Sequence, residues 1–395
     1  MSTNRVTGGT LIIAGTCIGA GMLALPISMA GAGFLSAAII LIIFWLAMVL
    51  TGLYVIEVNL ELPAESNFIS MAKATLGRPG EVVAWLTYVL LLYSLMAAYM
   101  SAGGDVVDHL IRSVWQIDFA RWVSSLPWLI IGAIVIYCGT RYVDGVNRLL
   151  IMGLVITYCM LVVISLPKIH VANLVGGHPT TLYWALPILS TAFGYHVVIP
   201  SMRTYLAGDP KSLIRIVIIG TGITLLVYLV WNFVVFGTIP TTGELSLASI
   251  KASGQPATEI ANTLASLTQS SKLLVAANYF AFFAIATSFI GISLALFDFV
   301  SDGFHIPRSK RGKALTAALT FVPPFIFAIV FPNGFITALS YAGVFVAVLH
   351  GILPAAMAWA GRRRNMPERY IAPGGTIGMV VIILFSLLII VSQLS

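Results

Sequence analysis

The chain has 395 residues, of which 59% are hydrophobic and 9% are charged, and its mean hydropathy is +1.00. So little polar surface cannot cover a water-soluble domain of this size, which excludes that class of protein. The formal net charge of +7 comes from basic residues in short connections between apolar blocks, so it does not indicate nucleic-acid binding.

Eleven apolar blocks follow one another along the chain. Continuous apolarity over roughly 20 residues is typical of a helix that crosses the ~30 Å hydrocarbon layer, not of an alternating β-barrel strand. Irregular backbone cannot face lipid, so every block should be helical except at breaks that line a cavity. The sequence therefore predicts an all-α membrane protein with 11 transmembrane helices. The blocks are residues 8–29, 34–58, 83–104, 125–140, 149–167, 182–205, 214–239, 273–298, 314–331, 335–360 and 374–393.

The distribution of basic residues predicts the orientation. Most of the 21 Lys and Arg residues lie on the same side of the membrane as the N-terminus, and five lie on the other: Arg112, Arg121, Lys168, Lys251 and Lys272. Basic connections stay on the cytoplasmic side. We therefore expect a multi-pass protein of a bacterial inner membrane, with a cytoplasmic N-terminus and a periplasmic C-terminus.

The first block contains Gly15, Gly19 and Gly21, with Pro26 shortly after them. Each glycine costs about 1 kcal/mol relative to alanine in a helix, so this helix should be weak near mid-membrane. An unwound turn exposes backbone groups, and half-helix ends carry partial charges that suit a zwitterion. Small-residue packing between helices is the alternative interpretation. Cys17, in the same stretch, has no metal-ligand spacing to another cysteine.

The sixth block is interrupted in a similar way. Pro187 and Pro200 stand at its ends, Gly194 lies between them, and two polar pairs, 190–191 and 195–196, occupy its middle. Discontinuous helices 1 and 6 are typical of a five-plus-five inverted repeat with the substrate between the breaks. We therefore expect residues 1–170 to form the first repeat and 171–360 the second. Residues 361–395 should form a basic cytoplasmic linker and helix 11.

The residues at the first break also carry a family resemblance. Residues 15–26 read GTCIGAGMLALP and resemble the opening of the hydroxy and aromatic amino acid permeases, a branch of the amino acid/polyamine/organocation superfamily. The Phe-Gly-Tyr-His stretch at 193–196 looks most like the tyrosine- and tryptophan-specific permeases, with the tyrosine permeases closest. Further similarity, which extends over nearly the whole chain, lies at residues 76–78, 97–99, 287–289, 296–298 and 341–344.

The resemblance implies a LeuT-type fold that binds an aromatic amino acid at the two breaks. By position, amides around Gly21 would meet the substrate carboxylate, and carbonyls near Cys17 and Ser190 would meet its ammonium group. Aromatic residues would shape the side-chain pocket, and Tyr93 or Tyr99 would cap the carboxylate or flank the ring. The candidate substrate-binding residues are Cys17, Gly19, Gly21, Tyr93, Tyr99, Ser190, Phe193, Gly194, Tyr195 and His196.

Three polar residues of these helices also have structural interpretations. A hydroxyl in a membrane helix usually bonds its own preceding turn, which is favoured for Thr191 but less so for Ser190 at the break. A histidine at depth is costly, so His196 is expected at the substrate site or in a proton relay, with a structural hydrogen bond as the alternative. For His350 the structural role is favoured.

The coupling ion is either a proton or sodium. Sodium-coupled members of the implied fold bind the ion at positions that match Gly15, Ile18, Ala284, Thr287 and Ser288, and hard cations take such oxygen ligands. The bacterial permeases that the chain resembles are regarded as proton-driven, which favours the proton. His196 is the best central carrier, because an imidazole titrates near physiological pH.

These observations predict a secondary active transporter that imports an aromatic amino acid, tyrosine first and tryptophan next, by proton symport and alternating access. The alternatives are sodium coupling, or a hydroxy or branched-chain amino acid as substrate. Enzyme motifs such as HExxH, GxSxG and Walker sequences are absent from the sequence, and so are the charge rings of a channel. We expect no cofactor beyond the coupled ion and no partner beyond substrate and lipid; the oligomeric state is left open.

Overall fold

The computed structural model describes residues 3–19, 21–115, 121–138, 140–253, 255–307, 309–331, 333–364 and 370–395. These residues form α-helices and connecting turns, and no β-strand occurs among them. The helices are α1 (Thr3–Cys17), α2 (Gly21–Ser28), α3 (Phe34–Glu61), α4 (Phe68–Trp115), α5 (Arg121–Cys138), α6 (Thr140–Ser165), α7 (Val171–Leu174), α8 (Leu186–Thr191), α9 (Ile199–Tyr205), α10 (Pro210–Thr238), α11 (Leu247–Ser253), α12 (Pro256–Thr268), α13 (Ser271–Gly303), α14 (Lys310–Val330), α15 (Phe335–Val346), α16 (Leu353–Arg363) and α17 (Gly375–Leu394).

Short turns of other helix types connect several of these elements. Four are 3₁₀ turns, at Ala30–Ala32, Leu166–Lys168, Pro179–Ala185 and His196–Val198. A single stretch of π-helix, Ala347–Ile352, joins α15 to α16 within the described part of the chain. Two of these irregular turns, the one at His196 and the π-helix, lie inside apolar blocks where an uninterrupted helix is the usual structure.

The membrane-spanning elements agree with the all-α prediction. Nine helical segments of the described residues are long and apolar enough to cross a membrane, or ten if the bent pair of α1 and α2 is one span. In α5 the apolar stretch is shorter, Trp122–Ile136. Each of the eleven predicted blocks lies mainly in helix, but the count of eleven spans stays a prediction.

The helices bury some apolar side chains inside the bundle and expose others on its outer surface. In α17, for example, Met379, Ile382 and Ile389 are buried, whereas Ile377 and Leu384 on the other face are exposed. Apolar side chains on an outer face indicate contact with lipid, because water would make this exposure costly. In the bundle interior, α13 packs on α4 and α6, α15 packs on α4 and α8, and α1 packs on α10.

The fourth helix differs from the predicted block 83–104. α4 extends to Trp115 through a stretch that the sequence predicts as an outer connection, and it contains a kink at Gly77, where φ is 77°. Near its end Asp108 pairs with Arg112 one turn later, at 2.8 Å, and accepts a hydrogen bond of 3.1 Å from Ser124. The pairing allows charged residues to continue the helix beyond its apolar stretch.

Candidate functional site

The first predicted break is present between α1 and α2. α1 ends at Cys17 and α2 begins at Gly21, and the two helix axes differ by 54°. Two side chains of α10 bond to the main chain on either side of this break. The Tyr228 hydroxyl donates to the Cys17 carbonyl at 2.7 Å, and the Trp231 indole N–H donates to the Met22 carbonyl at 3.0 Å.

The second predicted break separates α8 from α9. Helix α8 ends at Thr191, residues 192–195 are not helical, and a 3₁₀ turn precedes α9. Pro187 and Pro200 both lie in the first turn of their helices, where the missing N–H has no intrahelical acceptor to lose. The two prolines therefore start the half-helices, and the non-helical residues between them form the break.

The two breaks meet at one side chain. Besides its bond to Cys17, the Tyr228 hydroxyl lies 2.8 Å from the Ala192 carbonyl in the second break. The Phe193 ring packs edge-on against the Tyr228 ring, with centroids 5.5 Å apart. All of these groups are buried. The interrupted segments are thus neighbours within the bundle, with main-chain carbonyls facing a shared phenol.

The glycines of the first break have different surroundings. A Cβ added at Gly21 would meet no atom within 4 Å, so open space lies beside this residue. A Cβ added at Gly19 would collide with the Ser288 hydroxyl of α13. Gly19 therefore allows α13 to approach the break, whereas Gly21 borders the space where the sequence predicts the substrate carboxylate.

The two candidate tyrosines, Tyr93 and Tyr99, both lie on α4 but occupy different environments. Tyr99 is buried, forms a hydrogen bond with Ser288 and lies close enough to Tyr228 for an electrostatic interaction. Tyr93 is half-buried, and its hydroxyl donates to the Leu319 carbonyl of α14 at 2.9 Å. The structure thus places Tyr99 beside the breaks and directs the Tyr93 hydroxyl to α14.

The hydroxyl groups before the second break bond to main-chain carbonyls. Thr191 donates to Ile188 at 2.7 Å, as its structural interpretation predicts. Ser190 lies 2.6 Å from the Pro187 carbonyl and 3.0 Å from that of Gly343 on α15. The Ser190 hydroxyl attaches α8 to α15. If Ser190 binds substrate, its main-chain carbonyl is therefore the group that does so.

The aromatic residues of the second break attach it to α3. The Tyr195 hydroxyl donates to the Met48 carbonyl at 2.9 Å, and His196 Nε2 lies 2.8 Å from the Thr51 hydroxyl. Gly52 makes room for the phenol, since a Cβ there would collide with the Tyr195 hydroxyl. Both aromatic side chains are fully buried. Tyr195 and His196 therefore set the position of the break.

The candidate sodium ligands on α13 are hydrogen-bonded to one another within that helix. Thr287 and Ser288 both donate to the Ala284 carbonyl, one turn earlier in α13, at 3.1 and 3.0 Å. Gly15 is exposed, with nothing within 4 Å of an added Cβ, and Ile18 is half-buried. Among the residues that the structure describes, no cluster of His, Cys, Asp or Glu could hold a metal ion. Sodium binding at these positions stays a prediction.

Two arginines join the ends of several helices. Arg362 of α16 makes two bonds of 2.7 Å to the Glu57 carboxylate of α3, which also accepts from the Ala372 amide at 2.7 Å. Arg203 of α9 donates to carbonyls at the end of α3, including those of Asn59 and Leu62. Arg362 thus attaches α16 to α3, and Arg203 attaches α9, the second half of the interrupted helix, to the end of α3.

Sequence reasoning did not identify Tyr228, Trp231 or Arg203 as site residues. α10 reads as a continuous apolar helix, and the only signal in it is that two side chains with a polar end, 228 and 231, stand one turn apart. Tyr and Trp bury a large apolar body but retain one hydrogen-bond donor, so a buried pair at this spacing needs acceptors. Those acceptors are the carbonyls of the first break.

The described residues thus form a helical membrane bundle in which two interrupted helices are neighbours, an arrangement typical of multi-pass transport proteins. The chain belongs to the tryptophan/tyrosine permease family, which it matches over residues 2–393. The family and its relatives are permeases and not enzymes, as the sequence predicts. The predicted resemblance is thereby confirmed, and the chain is a multi-pass bacterial membrane protein.

Named relatives match the chain over most of their own length. It is 36% identical over 384 residues to a tryptophan-specific transport protein of Pseudomonas aeruginosa, covering 96% of this chain and 91% of the relative. It is 34% identical over 399 residues to a tryptophan-specific transport protein of Haemophilus influenzae, at 98% and 95% coverage. The tyrosine-specific transport system 2 of the same organism is 32% identical over 395 residues, at 98% and 96% coverage.

Proposed function

We propose that this protein imports an aromatic amino acid across the bacterial inner membrane by proton symport. The observation that carries the proposal is the meeting of the two breaks at Tyr228, with open space beside Gly21. Half-helix ends and unwound carbonyls are suited to the carboxylate and ammonium of an amino acid, without a charged side chain. The eleven-span LeuT-type architecture, with the N-terminus in the cytoplasm, is part of the same proposal.

The side chains around the breaks support an aromatic substrate. Phe193, Tyr228, Tyr99 and Trp231 all lie at or next to the breaks, and each is buried. Aromatic rings pack well against another ring in offset or edge-on geometry. Relatives at 30–36% identity carry the names of tryptophan- or tyrosine-specific transporters. A hydroxy amino acid would have little to bond to here, since Ser190 and Thr191 already donate to backbone carbonyls.

Tyrosine and tryptophan are both candidate substrates. The sequence motif at 193–196 favours tyrosine, whereas the two relatives at 36% and 34% identity are tryptophan-specific by name. The phenol of tyrosine can donate one hydrogen bond and accept another, whereas the indole of tryptophan only donates. The indole ring also needs a longer pocket. The substrate preference is therefore a matter of pocket length, which competition measures directly.

Proton coupling is supported by the groups available in the membrane. The two hydroxyls of the candidate sodium site donate to a carbonyl of their own helix, and the exposed Gly15 does not pack against them. The break region instead contains a buried histidine, His196. A proton needs one titratable group, whereas a hard cation such as sodium needs several oxygen ligands that converge.

The test is uptake by purified protein in vesicles with an imposed pH gradient. Labelled tyrosine and labelled tryptophan are each competed with all twenty amino acids, with and without sodium. We expect the aromatic amino acids alone to compete, and a pH gradient to drive accumulation in sodium-free buffer. Equal competition by serine, threonine, leucine or valine would contradict the aromatic assignment. Accumulation that requires sodium would contradict proton symport.

A further inference from the structure

Two histidines from different helices lie face to face beside the second break. The rings of His196 and His350 stack with their centroids 4.5 Å apart and their planes at 17°, and both are buried. His196 belongs to the 3₁₀ turn before α9, and His350 to the π-helix before α16. A Cβ added at Gly194 would lie 3.8 Å from the His350 ring. His350 therefore lies next to the break, close to Gly194.

Three of the four ring nitrogens have no hydrogen-bond partner among the described residues. They are Nδ1 of His196 and both nitrogens of His350, whereas His196 Nε2 contacts the Thr51 hydroxyl. That hydroxyl has one proton, which its 3.1 Å contact with the Met48 carbonyl uses. His196 Nε2 is then the donor, and Nδ1 carries a free lone pair. Buried polar atoms without partners are rare, so these nitrogens point to a small bound species.

The π-helix explains how His350 reaches this position. Pro354 lacks the N–H that the His350 carbonyl would accept in an α-helix, and its ring would clash with that carbonyl. The chain widens instead into the π-helix Ala347–Ile352. π-turns are rare and occur frequently at functional sites. The result is a column of rings in which His350 lies between Phe68, with centroids 6.5 Å apart, and His196.

Aromatic faces surround the ring of His196. Tyr195 stacks on one face at 4.5 Å and His350 on the other at the same distance. An imidazolium between two aromatic faces is stabilised by cation–π attraction. Two positive rings at this separation would repel each other strongly away from water, so the pair holds one proton at a time.

No charged group within the described residues is hydrogen-bonded to either ring. Thr51 faces the pair from α3, Phe68 from α4 and the Tyr195 phenol from the break, while α8, α15 and α17 contain no Asp, Glu, Lys or Arg. Charged residues on the adjoining helices α3, α9 and α16 have partners of their own. They are Glu57 with Arg362, and Arg203 with carbonyls of α3.

We propose that His196 and His350 together hold the coupled proton, one proton in each transport cycle. The proton arrives from the outer side, converts one imidazole into an imidazolium, and leaves to the cytoplasm after the substrate. Because His196 directly follows the break and His350 lies next to Gly194, protonation of the pair and occupancy of the break depend on each other. This proposal rests on the proton symport proposed above and names the residues that carry the proton.

The test compares accumulation with passive entry in sodium-free vesicles held at zero membrane potential. A gradient of one pH unit is a tenfold ratio of proton concentration across the membrane. When one proton accompanies each substrate, this gradient drives about tenfold accumulation, because the two tenfold ratios have the same free energy. We expect the wild type to accumulate labelled tryptophan or tyrosine about tenfold. We expect His350→Gln to reach only the outside concentration, with entry down a substrate gradient within about twofold of the wild type. His178→Gln, at an exposed histidine, should accumulate like the wild type.

Tenfold accumulation by His350→Gln would overturn the proposal. A wild type that accumulates substrate only with sodium would instead contradict proton symport itself, and the proton pair with it. If His350→Gln fails to insert, nuclear magnetic resonance of wild-type protein with ¹⁵N-labelled histidine rings gives the answer. We expect one buried ring to become an imidazolium when tryptophan or tyrosine is added. Two rings that stay neutral with bound substrate would refute the assignment.

Discussion

The two breaks are maintained by different parts of the molecule. At the first, between Cys17 and Gly21, the broken segment contributes small residues, and the bonding side chains, Tyr228 and Trp231, come from α10. At the second, the broken segment supplies its own side chains: Tyr195 bonds α3 through a hydroxyl and His196 through a ring nitrogen. Side chains of α10 bond the main chain of the first break, whereas the second break is bonded by Tyr228 and also bonds α3 through its own side chains.

This difference implies a division of roles. At the start of α2 the Met22 amide donates to the Gly19 carbonyl of the break at 3.0 Å, and open space lies beside Gly21. The N-terminal end of a helix carries a partial positive charge that suits a carboxylate. The second break has its aromatic side chains engaged with α3, so it offers shape and a titratable pair. We infer that the charged end of the substrate belongs at the first break and the aromatic end beside the second.

The largest expected effect is at the open side of the first break. Gly21→Val should abolish uptake, because the added side chain fills the space predicted for the substrate carboxylate. The protein should still insert and fold, because a Cβ at Gly21 would meet no atom within 4 Å. Uptake of labelled tryptophan and tyrosine in vesicles, alongside the amount of protein in the membrane, measures both expectations.

Gly291→Val is the matched control for this change. Gly291 lies on the exposed face of α13 and also has nothing within 4 Å of an added Cβ. The control should transport at close to the wild-type rate, since both variants add the same apolar bulk to a membrane helix. Normal uptake by Gly21→Val would place the substrate elsewhere and remove the distinction between the two breaks.

The next effect comes from the one side chain that both breaks share. Tyr228→Phe removes the bonds to the Cys17 and Ala192 carbonyls, and a buried group without its partner costs about 1–3 kcal/mol. With about 1.4 kcal/mol for each factor of ten, we expect the uptake rate to fall by about ten- to a hundredfold. The measurement is initial uptake rate together with thermal stability in detergent.

Tyr158→Phe is the matched control for Tyr228→Phe. It removes a tyrosine hydrogen bond that does not involve either break. Tyr158 of α6 donates to the Val227 carbonyl at 3.0 Å, one residue before Tyr228, but it touches neither break. Its loss should lower stability by about 0.5–1.5 kcal/mol and leave uptake close to normal. If both variants lose uptake equally, Tyr228 acts only by stabilising α10.

The location of both breaks could be predicted because the signal is local. Clustered glycine and paired proline weaken a helix wherever it packs, so Gly19, Gly21 and Pro187 indicate the interruptions without a structure. The contacts between helices around the site could not be predicted in this way. Tyr228 and Gly52 lie in helices that show no interruption, and their roles depend on which neighbour the helix packs against. The stacking of His196 on His350 joins residues 154 positions apart, and no local pattern indicates it.

The smallest expected effect is at the contact between the second break and α3. Tyr195→Phe removes the 2.9 Å bond to the Met48 carbonyl, but Thr51 also contacts that carbonyl, at 3.1 Å, so it keeps a donor. We therefore expect a loss of about 0.5–1.5 kcal/mol and an uptake rate within about tenfold of the wild type, above that of Tyr228→Phe. The phenyl ring still stacks on His196, so accumulation driven by the pH gradient should persist. A loss of uptake equal to that of Tyr228→Phe would mean that the Tyr195 hydroxyl meets the substrate during transport, and the second break would then contribute polar contacts as well as shape.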